Sequence, residues 1–190
     1  MSTTGGWISH QSNLLASVFP ALEEERPLSI FDADAANSVS FEYFSNNPCR
    51  LRFTDLYREV GADSTGRDER LRAALSFPPG THFDVCLFWD VLNFMSGDDL
   101  KTFAIALQPY VSSATRGHAF CAFASKMSLV YRQYAVTATD SFVSRVGSLS
   151  NLQVHPHRQR EILAAIPYLY IEHATLRRDG RSELLCGFRE

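Results

Sequence analysis

No glycine stands between Gly6 and Gly61 in this chain. Lysine is nearly absent as well: Lys101 and Lys126 are the only two, and arginine supplies the remaining positive charge. The net charge is −3 and no basic run reaches five residues, so the sequence carries no electrostatic footprint for nucleic acid. The same balance gives no sign of an anionic membrane surface as a partner. No stretch approaches the roughly 18–20 apolar residues of a membrane span. No basic segment precedes an apolar core at the N-terminus, so no secretory signal is read. Cys49, Cys86, Cys121 and Cys186 form no CxxC pair, and Cys86 and Cys121 lie inside apolar runs. Free, buried thiols in a reducing compartment follow, and a cytoplasmic location is the expectation. G-x-S-x-G, P-loop and H-E-x-x-H motifs are missing, and no spacing arranges Ser, His and Asp as a triad. His155-Pro156-His157 supplies half of a metal site without further ligands nearby, so no metal is expected there.

What is present is an ordinary globular composition, 45% hydrophobic and 21% charged over 190 residues, which fits one domain with a substantial core. His10–Leu22 carries Leu14, Leu15, Val18, Phe19 and Leu22 at helical spacing, with Pro20 bending or shortening the helix. Glu23–Arg26 reads as a charged hinge. Leu28–Asp32 is a buried strand that enters a tight turn and then a helix over residues 37–45, which Asn46-Asn47-Pro48 ends. "CRLRFTDL" alternates Leu51 and Phe53 with Arg50, Arg52 and Thr54, a half-buried strand running to Asp55. Between Asp55 and Phe83 there is room for a helix but no clear strand. "FDVCLFW" is continuously apolar after Asp84, as expected at the covered centre of a parallel sheet. "SGDDLKTFAIALQPYV" is a helix capped by Ser96, with Asp98 and Asp99 at its positive end. A strand over 117–124 follows, residues 126–154 give no clear pattern, and a helix stops before Pro167. Strands then flank "RRDGR", where Asp179-Gly180 signals a hairpin turn.

Repeated strand-helix units closed by an antiparallel hairpin describe a doubly wound, mostly parallel α/β sheet. From Leu28 to the C-terminus the chain resembles a class I S-adenosylmethionine-dependent methyltransferase. "FDVCLFWDVLNFMSGDDLKTFAIALQPYV" resembles that family's fourth strand and following helix, and Arg116-Gly117-His118 stands where its glycine-led fifth strand begins. The terminal hairpin resembles the sixth and reversed seventh strands. The resemblance implies a three-layer sandwich, with residues 1–27 as an N-terminal helical extension and 28–190 as the methyltransferase-like domain. S-adenosylmethionine is the cofactor it implies.

Under the resemblance "LSIFDADAANSVSF" aligns with the glycine-rich first motif. Asp32 takes the acidic position, while Asp34, Ala36 and Ser38 replace the three glycines. Asp55 takes the position of the acid that holds the ribose hydroxyls. Glycine permits positive φ and close backbone approach, which Ala36 and Asp34 deny, and Asp34 adds a carboxylate beside a ligand that carries its own. Trp89-Asp90 ends the central strand at the face where open α/β sheets place ligands. It reads equally as a pocket wall and as core packing. No Asn- or Asp-Pro-Pro-aromatic signature follows, so a nucleobase amine is not indicated as substrate. Phe41, Tyr43 and Phe44 lie just past the altered turn, either filling a cofactor's volume or packing helix to sheet. Two readings follow: a non-catalytic descendant working through contacts with a protein partner or a second copy, and an active methyltransferase on a small molecule or protein. Another small ligand in a remodelled crevice is a third.

Overall fold

The computed structural model describes residues 6–19, 27–124, 126–149 and 151–189. In chain order the elements are β1 (Ile8–Gln11), α1 (Leu15–Val18), β2 (Leu28–Asp32), α2 (Ser38–Ser45), β3 (Cys49–Phe53), α3 (Leu56–Gly61), α4 (Arg67–Ala74), β4 (Val85–Trp89), α5 (Gly97–Leu107), β5 (Arg116–Ala122), β6 (Arg132–Ala138), β7 (Ser141–Val146), α6 (Gln159–Ala165), β8 (Leu169–Leu176) and β9 (Arg181–Phe188). A six-stranded sheet runs β3-β2-β4-β5-β9-β8. Strands β3, β2, β4 and β5 are parallel, and β9 and β8 complete the sheet antiparallel. The chain is mixed α/β with the expected parallel centre and C-terminal hairpin.

The alternation of each strand divides the core between the faces of this sheet. Phe31, Cys86, Phe88 and Cys121 pack under α3, α4, α5 and α6. Ile30, Val85, Leu87, Trp89 and Phe120 pack under α1, α2 and a second sheet ordered β1-β7-β6. Strand β4 is buried at every position, as its unbroken apolar run requires. Helix α5 starts on a reciprocal cap: Ser96 Oγ accepts from Asp99 N–H at 3.2 Å, and Asp99 Oδ2 accepts from Ser96 N–H at 2.9 Å. Gly180 takes φ +80° in the β8–β9 turn, a conformation that favours glycine. No strand forms between Asp55 and Phe83, so β3 is a sheet edge among the described residues.

One expectation is corrected, and one stretch left open takes a definite form. The helix read over His10–Leu22 is a single turn, Leu15–Val18. His10 and Gln11 end a strand instead, paired with Phe142 and Ser141 of β7. Ser12 stops that strand, because its Oγ accepts from Leu15 N–H at 2.8 Å and starts the helical turn. Pro20, Leu22 and the Glu23–Arg26 hinge lie outside the described residues. The unpatterned stretch 126–154 holds the β6–β7 hairpin, with Tyr134 opposite Ser144 and Val136 opposite Phe142.

Candidate functional site

The connections leave β2 in opposite senses: the next strand, β3, lies on one side and β4 on the other. A doubly wound sheet opens a crevice at such a point, beyond the carboxyl ends of the strands. Here those ends supply Asp32, Ala33 and Asp34 from β2, and Trp89 and Asp90 from β4. All five are buried. The remainder of the crevice is taken up by tyrosines and an arginine from elsewhere in the chain.

Asp90 is the hub. Its Oδ1 accepts from the Tyr57 hydroxyl at 2.5 Å. Its Oδ2 accepts from the Tyr134 hydroxyl at 2.6 Å and from Arg181 Nη1 at 2.9 Å. Arg181 also donates to the Tyr134 oxygen at 2.5 Å and grips Asp179 through Nη2 at 2.7 Å. Burial pushes the Asp90 carboxyl up, against the pull of Arg181, Tyr134 and Tyr57. Burial, and then the Asp90 charge, push both tyrosines well above their ordinary range, so they act as neutral hydrogen-bond donors.

The altered turn is tied into this hub. Asp34 Oδ2 accepts from Tyr134 N–H at 2.7 Å, and Oδ1 accepts from Ala35 N–H at 2.8 Å. Asp32 Oδ1 accepts from Asp34 N–H at 3.1 Å and from the Trp89 indole N–H at 2.8 Å. Asp32 Oδ2 is buried with no hydrogen-bond partner among the described residues. Burial pushes Asp32 up to about 7, against those two hydrogen bonds. Burial and the neighbouring Asp32 push Asp34 up to about 8.

Trp89 is the one described non-glycine residue with positive φ, at 51°, where a bulge breaks the β4–β5 register. A bulky residue rarely holds this conformation, and such outliers gather where surrounding contacts over-determine the backbone. The contacts are visible: the indole bonds Asp32, and its ring stacks on Tyr134 with centroids 5.0 Å apart and planes 6° apart. Asn93 then pins the following turn to β5, donating to Phe120 O at 2.8 Å and accepting from Ala122 N–H at 3.0 Å.

Four of the residues singled out in the sequence, Asp32, Asp34, Trp89 and Asp90, therefore meet in one cluster. Asp55 stands apart. It caps α3 by accepting from Arg58 N–H at 3.1 Å and lines a cavity of about 360 Å³ with Tyr131, Gln133 and Arg145. Ala36 and Ser38 are exposed and line a groove on the α2 side, so only Asp34 of the three substituted positions faces inward. Phe41, Tyr43 and Phe44 do not fill the crevice either. Phe44 packs on Phe19 at 5.8 Å, Tyr43 packs on Phe44, and Phe41 is 65% exposed. His157 places Nε2 2.8 Å from Met95 O, a brace for the loop before α6.

The residues that sequence reasoning missed are Tyr57, Tyr134 and Arg181. Tyr134 sits on the alternating segment "QYAVTATDSFVSRV", where Tyr134, Val136, Phe142 and Ser144 share one buried face; that period of two was the available signal. Among the described residues no group of three or more His, Cys, Asp or Glu side chains is placed to hold a metal ion.

No family model and no curated protein matches the chain. Solved structures do. A S-adenosylmethionine-dependent methyltransferase from Clostridium acetobutylicum is similar at TM-score 0.51 and 11% identity, over 85% of this chain and 84% of that one. The 1,6-didemethyltoxoflavin-N1-methyltransferase of Burkholderia thailandensis, solved with its substrate and S-adenosylhomocysteine, is similar at 0.52 and 11% identity, over 94% and 78%. The glycopeptide N-methyltransferase MtfA, solved with S-adenosylmethionine, is similar at 0.50 and 9% identity, over 91% and 92%. At these identities the likeness is one of architecture, and the chain has the class I methyltransferase fold.

Proposed function

We propose that this chain is a methyltransferase-fold protein whose crevice is occupied by its own side chains, and that it acts through contacts with protein rather than by methyl transfer. Tyr134 carries the reading. Its ring lies on Trp89, its amide is bound by Asp34, and its hydroxyl joins Asp90 to Arg181. Solved proteins of this fold hold S-adenosylmethionine or S-adenosylhomocysteine. A ligand of that kind at the ends of β2 and β4 would have to displace Tyr134 and leave its charged partners unsatisfied. Hydrogen bonds to charged groups contribute about 1.5–3 kcal/mol each, so the displacement is expensive. A ligand carboxylate would also meet Asp90, with Arg181 already engaged by Asp90 and Asp179. The residues at this crevice therefore do not fit that cofactor.

Calorimetric titration with S-adenosylmethionine and S-adenosylhomocysteine tests the reading. The expected dissociation constant is weaker than about 1 mM, or about −4 kcal/mol. Micromolar binding would overturn the reading in favour of an active methyltransferase on a small molecule or protein. The cavity of about 360 Å³ beside Asp55 is the observation on that side.

A further inference from the structure

The six-stranded sheet stops at β3 among the described residues. Along β3 the alternation sends Cys49, Leu51 and Phe53 to the α2 side and Arg50 and Arg52 to the opposite side, since each faces the same way as its β2 partner. Cys49, Leu51 and Phe53 are only half-buried. With Phe41, Phe44 and Ala36 they line an open groove of about 540 Å³. Phe41 is part of that lining and is 65% exposed. On the other side Arg50 and Arg52 are exposed and have no ion-pair partner among the described residues. The outward backbone groups of β3 have no strand partner among the described residues.

We propose that this edge is a docking site for an extended segment of another protein, one that alternates apolar and acidic residues. Added beside β3, such a strand would continue the backbone ladder. Its apolar side chains would enter the groove beside Phe41, and its acidic ones would lie beside Arg50 and Arg52, because a strand's successive side chains alternate faces. Charge protection alone explains arginines on an edge strand, but it does not explain a largely apolar groove lined by an exposed phenylalanine. A second copy of this chain is the poorer occupant. Pairing β3 with its own copy would bring four arginines together across one small ladder, and like charges placed across strands are unfavourable. The inference names the partner chemistry for the contact role proposed above and rests on that reading.

The test is fluorescence anisotropy with labelled seven-residue peptides, one alternating valine and glutamate and one alternating valine and lysine, against the full chain. The valine–glutamate peptide should bind more tightly than the lysine version by at least tenfold, and less so as salt rises. The double variant Arg50→Glu, Arg52→Glu should reverse that preference, and because both positions are exposed it should fold. Leu51→Asp should weaken both peptides. No binding of the glutamate peptide up to about 1 mM, or equal binding of both peptides, overturns the proposal. So does slow exchange in the free protein at the β3 amides that point away from β2, those of Cys49, Leu51 and Phe53, which would mean that this chain already covers the edge. Dimerisation lost in the double variant would likewise assign the edge to a second copy and overturn it. Titrating S-adenosylmethionine into the same samples separates the two claims: micromolar binding there with intact peptide selectivity would refute the closed crevice and leave the docking edge standing.

Discussion

Beyond β2 and β4 the side chains that meet are buried, whereas one strand away the edge at β3 is unpaired among the described residues. In the crevice Trp89, Tyr57 and Tyr134 are wholly buried, and Asp90 has hydrogen bonds to both carboxylate oxygens. At the edge Phe41 is 65% exposed, and Arg50 and Arg52 face solvent without ion-pair partners among the described residues. Full burial of an aromatic side chain is worth about 1.5–3 kcal/mol, so the crevice tyrosines stabilise the fold where they sit. The groove residues gain nothing comparable until something covers them. A site whose polar groups, Asp32 Oδ2 apart, have partners among the described residues has little left to offer a ligand; a half-covered strand has its backbone, its apolar face and its charge still available among those residues.

Substitutions on either side should separate the two regions by size of effect. The largest loss is expected from Arg181→Ala, which leaves Asp90 buried without its cation. About 3–5 kcal/mol of unfolding free energy should go, as read by urea denaturation. A wide effect should come next from pH. Asp32 and Asp34 are raised from 3.8 to about 7 and about 8, so between those limits the native state binds more protons than the unfolded chain. Stability should therefore fall as pH rises from about 4 to about 8 and level off above that. Asp34→Asn should flatten the decline in a series of melting curves. Glu183 acts in the opposite sense. Burial pushes it up, but His118, Ser12 and Arg177 outweigh burial and hold it at about 2, so its contribution is lost only as pH falls from 4.5 through about 2. Tyr134→Phe should cost about 1–3 kcal/mol, since it removes the hydroxyl between Asp90 and Arg181 while keeping the stacked ring. Gly180→Val should cost about 1–2 kcal/mol by forcing a branched residue to φ +80° in the turn that precedes Arg181. Phe41→Ser should change the melting behaviour least, within about 0.5 kcal/mol, because the ring is mostly exposed. A loss at Phe41 as large as that at Tyr134 would erase the contrast.

Much of the architecture was legible because it rests on local pattern. The unbroken apolar run of β4, the alternation of β3, the Ser96 cap and the Asp179-Gly180 turn each specify their element within a few residues. The acids of the crevice were legible for a similar reason, since Asp32, Asp34 and Asp90 stand at or just past the ends of readable strands. What closes the crevice was not legible. The bond from Tyr134 N–H to Asp34 spans 100 residues of sequence, and the Arg181–Asp90 pair spans 91. No periodicity records such a meeting. Phe41, Tyr43 and Phe44 illustrate the converse: they are near the turn in sequence, but the helix that carries them turns them to the α1 side and to solvent. The reading of His10–Leu22 as one helix failed because its apolar spacing was genuine only around Leu14–Phe19, while Ser9–Gln11 was committed to pairing with β7.

The central claim is that Tyr134 is a fixed part of the crevice and not a lid over it. The Tyr134 amide, bound to the buried Asp34 side chain, reports on that directly. Hydrogen exchange at this amide, followed by NMR with and without millimolar S-adenosylhomocysteine, should be slow and unchanged, matching the centre of β4. Fast exchange in the free protein, or loss of protection when the ligand is added, would show that the tyrosine leaves its place and would contradict the account.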